Sequence, residues 1–201
     1  MAAQSIKTCL TLLIPSQLFW DDDGRVYLST TVRLANRRPE PKLKDFGIHI
    51  SEIEIGTGRT LTPPRLIRES PHGIAEGSHI LRYGEYYYLF TAEGGTEAGH
   101  QEWVFRSREG VYGPWEAQGR PLWYNGPDEE VQRTGHADVF DDGDGNWWAV
   151  FLGVRPVRDE EGTFLEPQMG ECPLHDTPRG TLLTVLYYGA RIISREGRLG
   201  R

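Results

Sequence analysis

Two side chains in this chain have the type and setting for acid–base work on a bound substrate. Glu76 stands among small residues in Gly73-Ile74-Ala75-Glu76-Gly77-Ser78-His79, and His136 in Thr134-Gly135-His136-Ala137-Asp138. A carboxylic acid protonates a leaving oxygen near neutral pH only if burial or a like charge raises its pKa, so Glu76 would need a lined pocket. An imidazole can serve as general base, metal ligand or substrate donor. His100 and Glu93, the latter in Glu93-Gly94-Gly95-Thr96, are weaker candidates. The same residues also fit plainer and commoner roles, a surface glutamate in a glycine-rich loop and a hydrogen-bonded core histidine. The sequence has no nucleophile elbow, P-loop, dinucleotide fingerprint or HExxH motif.

Both candidates are expected on loops that lead into strands, and the strands recur. Leu18-Phe19-Trp20 and Arg25 to Thr31 flank Asp21-Asp22-Asp23-Gly24, an Asp-Gly turn between aromatic and β-branched residues. The three acidic residues lack the spaced oxygens and terminal Glu of an EF-hand loop, so they read as turn chemistry. The hairpin repeats at His79 to Phe90 and again at Ala137 to Leu152. Turn glycines Gly24, Gly84 and Gly145 lie about 60 residues apart, each followed three positions later by an aromatic: Tyr27, Tyr87 and Trp148. Ile48 to Ile55 reads as an alternating, half-buried strand with isoleucine on one face, and Glu102 to Ser107 corresponds to it in the second unit. Such a period predicts an all-β chain of propeller blades whose loops converge on an axial site. Three similar hairpins also fit a β-sandwich. The length holds about three blades and a remnant, fewer than the roughly four to eight of a closed propeller. The expected layout is a divergent segment at 1–17, blades at 18–157, and a degenerate partial blade and tail at 158–201. Within that tail Thr181 to Tyr188 reads as a strand.

Composition agrees with a β-rich fold. The 201 residues include 24 glycines, 13 prolines, six tryptophans and nine tyrosines, which favour turns and strands. A formal net charge of −7 argues against a phosphate-backbone partner. No apolar run has the length of a membrane span. Cys9 and Cys172 form neither a metal-ligand spacing nor a disulfide framework. The short apolar run Leu10 to Ile14 falls below a signal peptide, so an intracellular chain is the default expectation.

Several motifs in order resemble one enzyme family. The segment around Glu76, with Ser78 in place of a usual proline, is similar to the stretch of glycoside hydrolase family 43 that holds the general acid. Tyr86 to Leu89, Ala92 to Thr96, Gly99-His100, Arg106-Ser107, Gly113-Pro114-Trp115, Thr134 to Asp138 and Gly145 to Trp148 continue the resemblance. The match looks closest to β-xylosidase and α-L-arabinofuranosidase members. It implies a five-bladed propeller, inverting hydrolysis of xylosyl or arabinosyl groups, oligosaccharide substrates, Glu76 as general acid and His136 lining the sugar pocket. It implies no cofactor beyond a central calcium, held by some members, near His136. The sequence shows no oxygen ligands for that ion. Departures matter equally. The family's tuning aspartate falls on Ile14 or Pro15, and no general-base counterpart stands upstream of Leu18. Asp176 follows Gly170 to Leu174 where an arginine is expected. The 201-residue chain is therefore expected to be weak or inactive, truncated at both ends, with a carbohydrate-binding remnant or an incorrect gene model as alternatives.

Overall fold

The computed structural model describes residues 14–34, 45–129, 131–144, 147–155, 157–158, 160–161, 164–165 and 181–188. Strands and turns alone make up the described residues. The first sheet runs β1 (Ile14–Trp20), β2 (Val26–Arg33), β3 (Phe46–Glu54) and β4 (Arg59–Thr60), with β5 (Arg65–Glu69) on β3. The second runs β6 (Ala75–Tyr83), β7 (Tyr86–Glu93), β8 (Gln101–Ser107) and β9 (Glu116–Ala117). The third opens with β10 (Gln132–Asp141) and β11 (Trp147–Arg155). A short pair, β12 (Val157–Arg158) and β13 (Phe164–Leu165), follows before β14 (Thr181–Tyr188) pairs antiparallel with β11. These are three antiparallel blades, an incomplete propeller.

Each blade starts from the hairpin its sequence announces. The Gly24 amide donates to the Asp21 carbonyl at 3.0 Å, and Gly24 takes φ +84°. Asp23 accepts from the Arg25 amide at 3.0 Å and from its Nε at 2.7 Å. This is the turn chemistry expected of that acidic run. Gly84 also takes a positive φ. In the third hairpin Gly143 is left-handed, and Gly145 lies outside the described residues.

Alternation along β7 and β8 makes the middle blade buried on both faces. Leu89 and Phe105 face the first blade, in a core with Phe19, Tyr27, Ile50, Ile80 and Val111. Tyr88, Phe90 and Val104 face the third, in a core with Ala137, Val139, Trp147, Ala149 and Phe151. The first strands stand side by side, β1 against β6 and β6 against β10.

Three sequence expectations need correction. Ile48 and Ile50 are buried on one face of β3, but Ile53 is buried on the other and Ile55 is exposed. β3 is thus buried on both faces. The boundary at 17/18 falls inside β1, where a register shift between Ile14 and Gln17 masks the strand in sequence. Thr181 to Tyr188, grouped with the tail, is the third strand of the third blade. Residues 156–180 separate in sequence partners that pair residue for residue from Trp148↔Tyr188 to Arg155↔Thr181.

Candidate active site

Glu76 and His136 lie within strands rather than on the loops expected. Each strand is bulged there, and the bulge accounts for its glycine-rich, loop-like sequence. On β6 the register steps from Glu76↔Ala92 to His79↔Phe90, so Gly77 and Ser78 together face Thr91. Gly77 takes φ +55°. On β10 the register steps from Gly135↔Leu152 to Asp138↔Val150, and His136 takes φ +57°. A left-handed histidine costs roughly 1–2 kcal/mol, so its surroundings must hold it.

The two bulges mesh. A Cβ on Gly77 would lie 2.5 Å from Nε2 of His136, so the imidazole rests on the backbone of the residue after Glu76. A side chain at position 77 would have to displace the His136 ring. The arrangement repeats one step on, where the His100 ring covers Gly135 and a Cβ there would lie 2.7 Å from its Nε2. The structure therefore brings Glu76 and His136 to one place and draws His100 in beside them. Glu76 is half-buried on its bulge.

Electrostatics keep these imidazoles neutral. Burial pushes the His136 pKa down, and nearby His79 adds to it. Burial also pushes His100 down, with an opposing contribution from the Arg133 carbonyl. That carbonyl lies 2.8 Å from His100 Nδ1, so Nδ1 carries the proton. At the rim, His79 Nδ1 stands 3.1 Å from Asp138 Oδ1, and the bond to His79 holds Asp138 below the usual carboxylate range.

Glu93 has another job. Its oxygens accept from Arg68 Nε at 2.7 Å and Nη2 at 3.0 Å, from Thr91 at 3.1 Å and from Ser70. Arg68 stacks over Phe105 at 4.2 Å. This buried pair ties the first blade to the second, leaving Glu93 no lone pair for chemistry. Sequence reasoning missed Glu102, which is fully buried on β8. Its place on the same strand face as Val104 was the available signal. Burial drives its pKa well above the ordinary glutamate range, against the Ala137 and His136 amides, while Glu93 adds to the rise.

Among the described residues no group of three or more His, Cys, Asp or Glu side chains could hold a metal ion. Calcium takes about six to eight oxygens. The imidazoles around His136 offer nitrogen instead and do not fit that ion.

Blades whose bulged first strands stand side by side, with Glu76 and His136 on adjoining bulges, define a β-propeller, and the candidate site lies where those strands meet. The chain belongs to glycosyl hydrolases family 43, whose sequence model matches residues 4–188. It is 43% identical over 100 residues to a non-reducing end α-L-arabinofuranosidase of Bacteroides ovatus, covering 46% of this chain and 19% of that protein. It is 31% identical over 178 residues to a β-xylosidase of Bacillus subtilis, covering 86% of this chain and 32% of the other. Among solved structures, a xylan β-1,4-xylosidase from Bacillus halodurans superposes with a TM-score of 0.64 at 26% identity, over 82% of this chain and 37% of that one. The matched stretch thus spans about a fifth to a third of the curated relatives' length.

Proposed function

We propose that this chain is part of an O-glycosyl hydrolase that removes xylosyl or arabinosyl groups from xylo- or arabino-oligosaccharides with inversion. Glu76 is its general acid, and His136 forms a wall of the sugar pocket. The observation that carries this reading is the meshed pair of bulges, which sets the His136 imidazole against the backbone of the residue that follows half-buried Glu76. In inverting hydrolysis the acid protonates the leaving oxygen while a second carboxylate, about 6.5–9.5 Å away, draws a proton from attacking water. A neutral imidazole beside the acid can donate to or accept from sugar hydroxyls without competing as a cation.

The first blade bears on how fast the 201-residue polypeptide turns over. By register, Ile14 precedes the shift on β1 as Glu76 precedes the bulge on β6. The resemblance would have a tuning aspartate at or next to that position. The polypeptide is accordingly expected to hydrolyse aryl β-xyloside and aryl α-L-arabinofuranoside slowly or not at all. Any p-nitrophenol released should fall about 10²–10⁴-fold in Glu76→Gln. Release at rates ordinary for an enzyme, unchanged by that substitution, would remove Glu76 from its role. Ile14 also favours a second reading, sugar binding without cleavage. Calorimetric titration with xylo-oligosaccharides separates the two, since heat of binding without turnover supports the second.

A further inference from the structure

We propose that Glu102 is a positioning residue for the pocket: its carboxyl takes up the amide that the β10 bulge removes from the ladder, and so holds the His136 imidazole over Gly77. The inference rests on the reading of His136 as a pocket residue.

The bulge sets up the problem. Between Gly135↔Leu152 and Asp138↔Val150, His136 and Ala137 together face Phe151. One of the two must lose its place in the ladder. Ala137 is fully buried, so its N–H cannot turn to water, and an orphaned buried amide is costly. Glu102 Oε2 accepts from that amide at 3.1 Å, across the gap between the second and third blades.

Glu102 is itself held from behind. Its amide donates to the Trp123 carbonyl at 3.0 Å, and its carbonyl accepts from the Leu122 amide at 2.7 Å. Cross-strand from it stands Ala92, also buried, whose small side chain leaves room for a carboxyl on that face. A glutamate is a costly choice for this purpose, because its Oε1 finds no hydrogen-bond partner among the described residues. What it supplies is reach: an acceptor on a chain long enough to meet a backbone group of the next blade. That contact fixes Ala137 and, one residue back, the left-handed turn that aims His136. A neutral acceptor serves as well, so an amide should replace the acid.

The test uses the 201-residue chain with isotope-labelled histidine, the His136 imidazole resonances being assigned by their loss in His136→Asn. Glu102→Met removes the acceptor at similar length; Glu102→Ala is the second variant should Met disturb folding. The expected result is a shift of the His136 resonances in Glu102→Met, with His49 in the first blade unchanged. Xylobiose binding should weaken about tenfold, and Glu102→Gln should restore both. His136 resonances unmoved in folded Glu102→Met or Glu102→Ala would overturn the proposal. So would failure of Glu102→Gln to restore them. If the unaltered chain does not bind xylobiose, the pocket reading fails instead, and the resonances alone decide the role of Glu102.

Discussion

The two interfaces of the middle blade solve one problem with different chemistry. Toward the first blade, charge meets charge. Arg68 grips Glu93, and Asp21 accepts from Tyr87 Oη at 2.9 Å and from Arg82 at 3.2 Å. Ser78 donates to Ser29 at 2.9 Å in the same seam. Toward the third blade, buried groups stay neutral and reach main chain: Glu102 to the Ala137 amide, His100 to the Arg133 carbonyl. Here glycines admit imidazole rings beside the apolar core, and the His79–Asp138 contact lies at the more exposed rim. The first seam fastens. On the proposed reading the second shapes a site, because neutral polar groups can face a sugar without first shedding an ionic partner.

The contrast is broken or sharpened by removing one member of each seam. Glu93→Ala leaves the Arg68 guanidinium without its carboxylate in a site mostly closed to water, and should cost about 3–5 kcal/mol in urea unfolding. Glu102→Met takes a neutral acceptor from the Ala137 amide, strands no charge, and should cost about 1–3 kcal/mol. The reverse order would mean that the second seam is the fastening one. Gly77→Ala should cost about 1–3 kcal/mol through the clash with His136. In a His136→Ala background the penalty should shrink toward that of the left-handed backbone alone, and equal penalties in both backgrounds would deny the contact. Tyr87→Phe should cost only about 1 kcal/mol, because Arg82 still serves Asp21.

A pH series offers the finest discrimination. The folded-state pKa of Glu102 is raised, so the native chain keeps a proton that the unfolded chain gives up. Stability from this group is unaffected below the ordinary glutamate pKa and declines as pH rises from there toward the raised value. Glu102→Gln should remove that decline, seen as a smaller drop in unfolding midpoint over the same range. Asp138 acts oppositely: its lowered pKa contributes stability above the ordinary aspartate value, lost as pH falls through the folded one.

Local pattern carried much of the fold into the sequence. The Asp-Gly turn at Gly24, the glycine turn at Gly84 and the flanking apolar strands announce their own hairpins, since turn dihedrals and side-chain alternation are settled within a few residues. Glu76 and His136 were legible as types, and the motifs around them as a family. Their setting was not, because a bulge and a loop draw on the same small residues. Glu102 was harder still, for its meaning depends on an amide 35 positions away. The β11–β14 pairing was hidden by the chain between its partners, and Arg68 with Glu93 by a separation that only packing closes.

The bulges have a practical corollary. A one-residue slip of β6 would turn every side chain to the opposite face, and the Glu76–His79 step resists it as a notch resists a sliding rule. From His79 to the turn at Gly84 the strand runs about 17 Å at about 3.3 Å per residue. A Cβ at Gly84 meets only open space. The hairpin tip is therefore a port at which a peptide tag or reporter can be spliced between Gly84 and Glu85 while the distant carboxyl keeps its bearing.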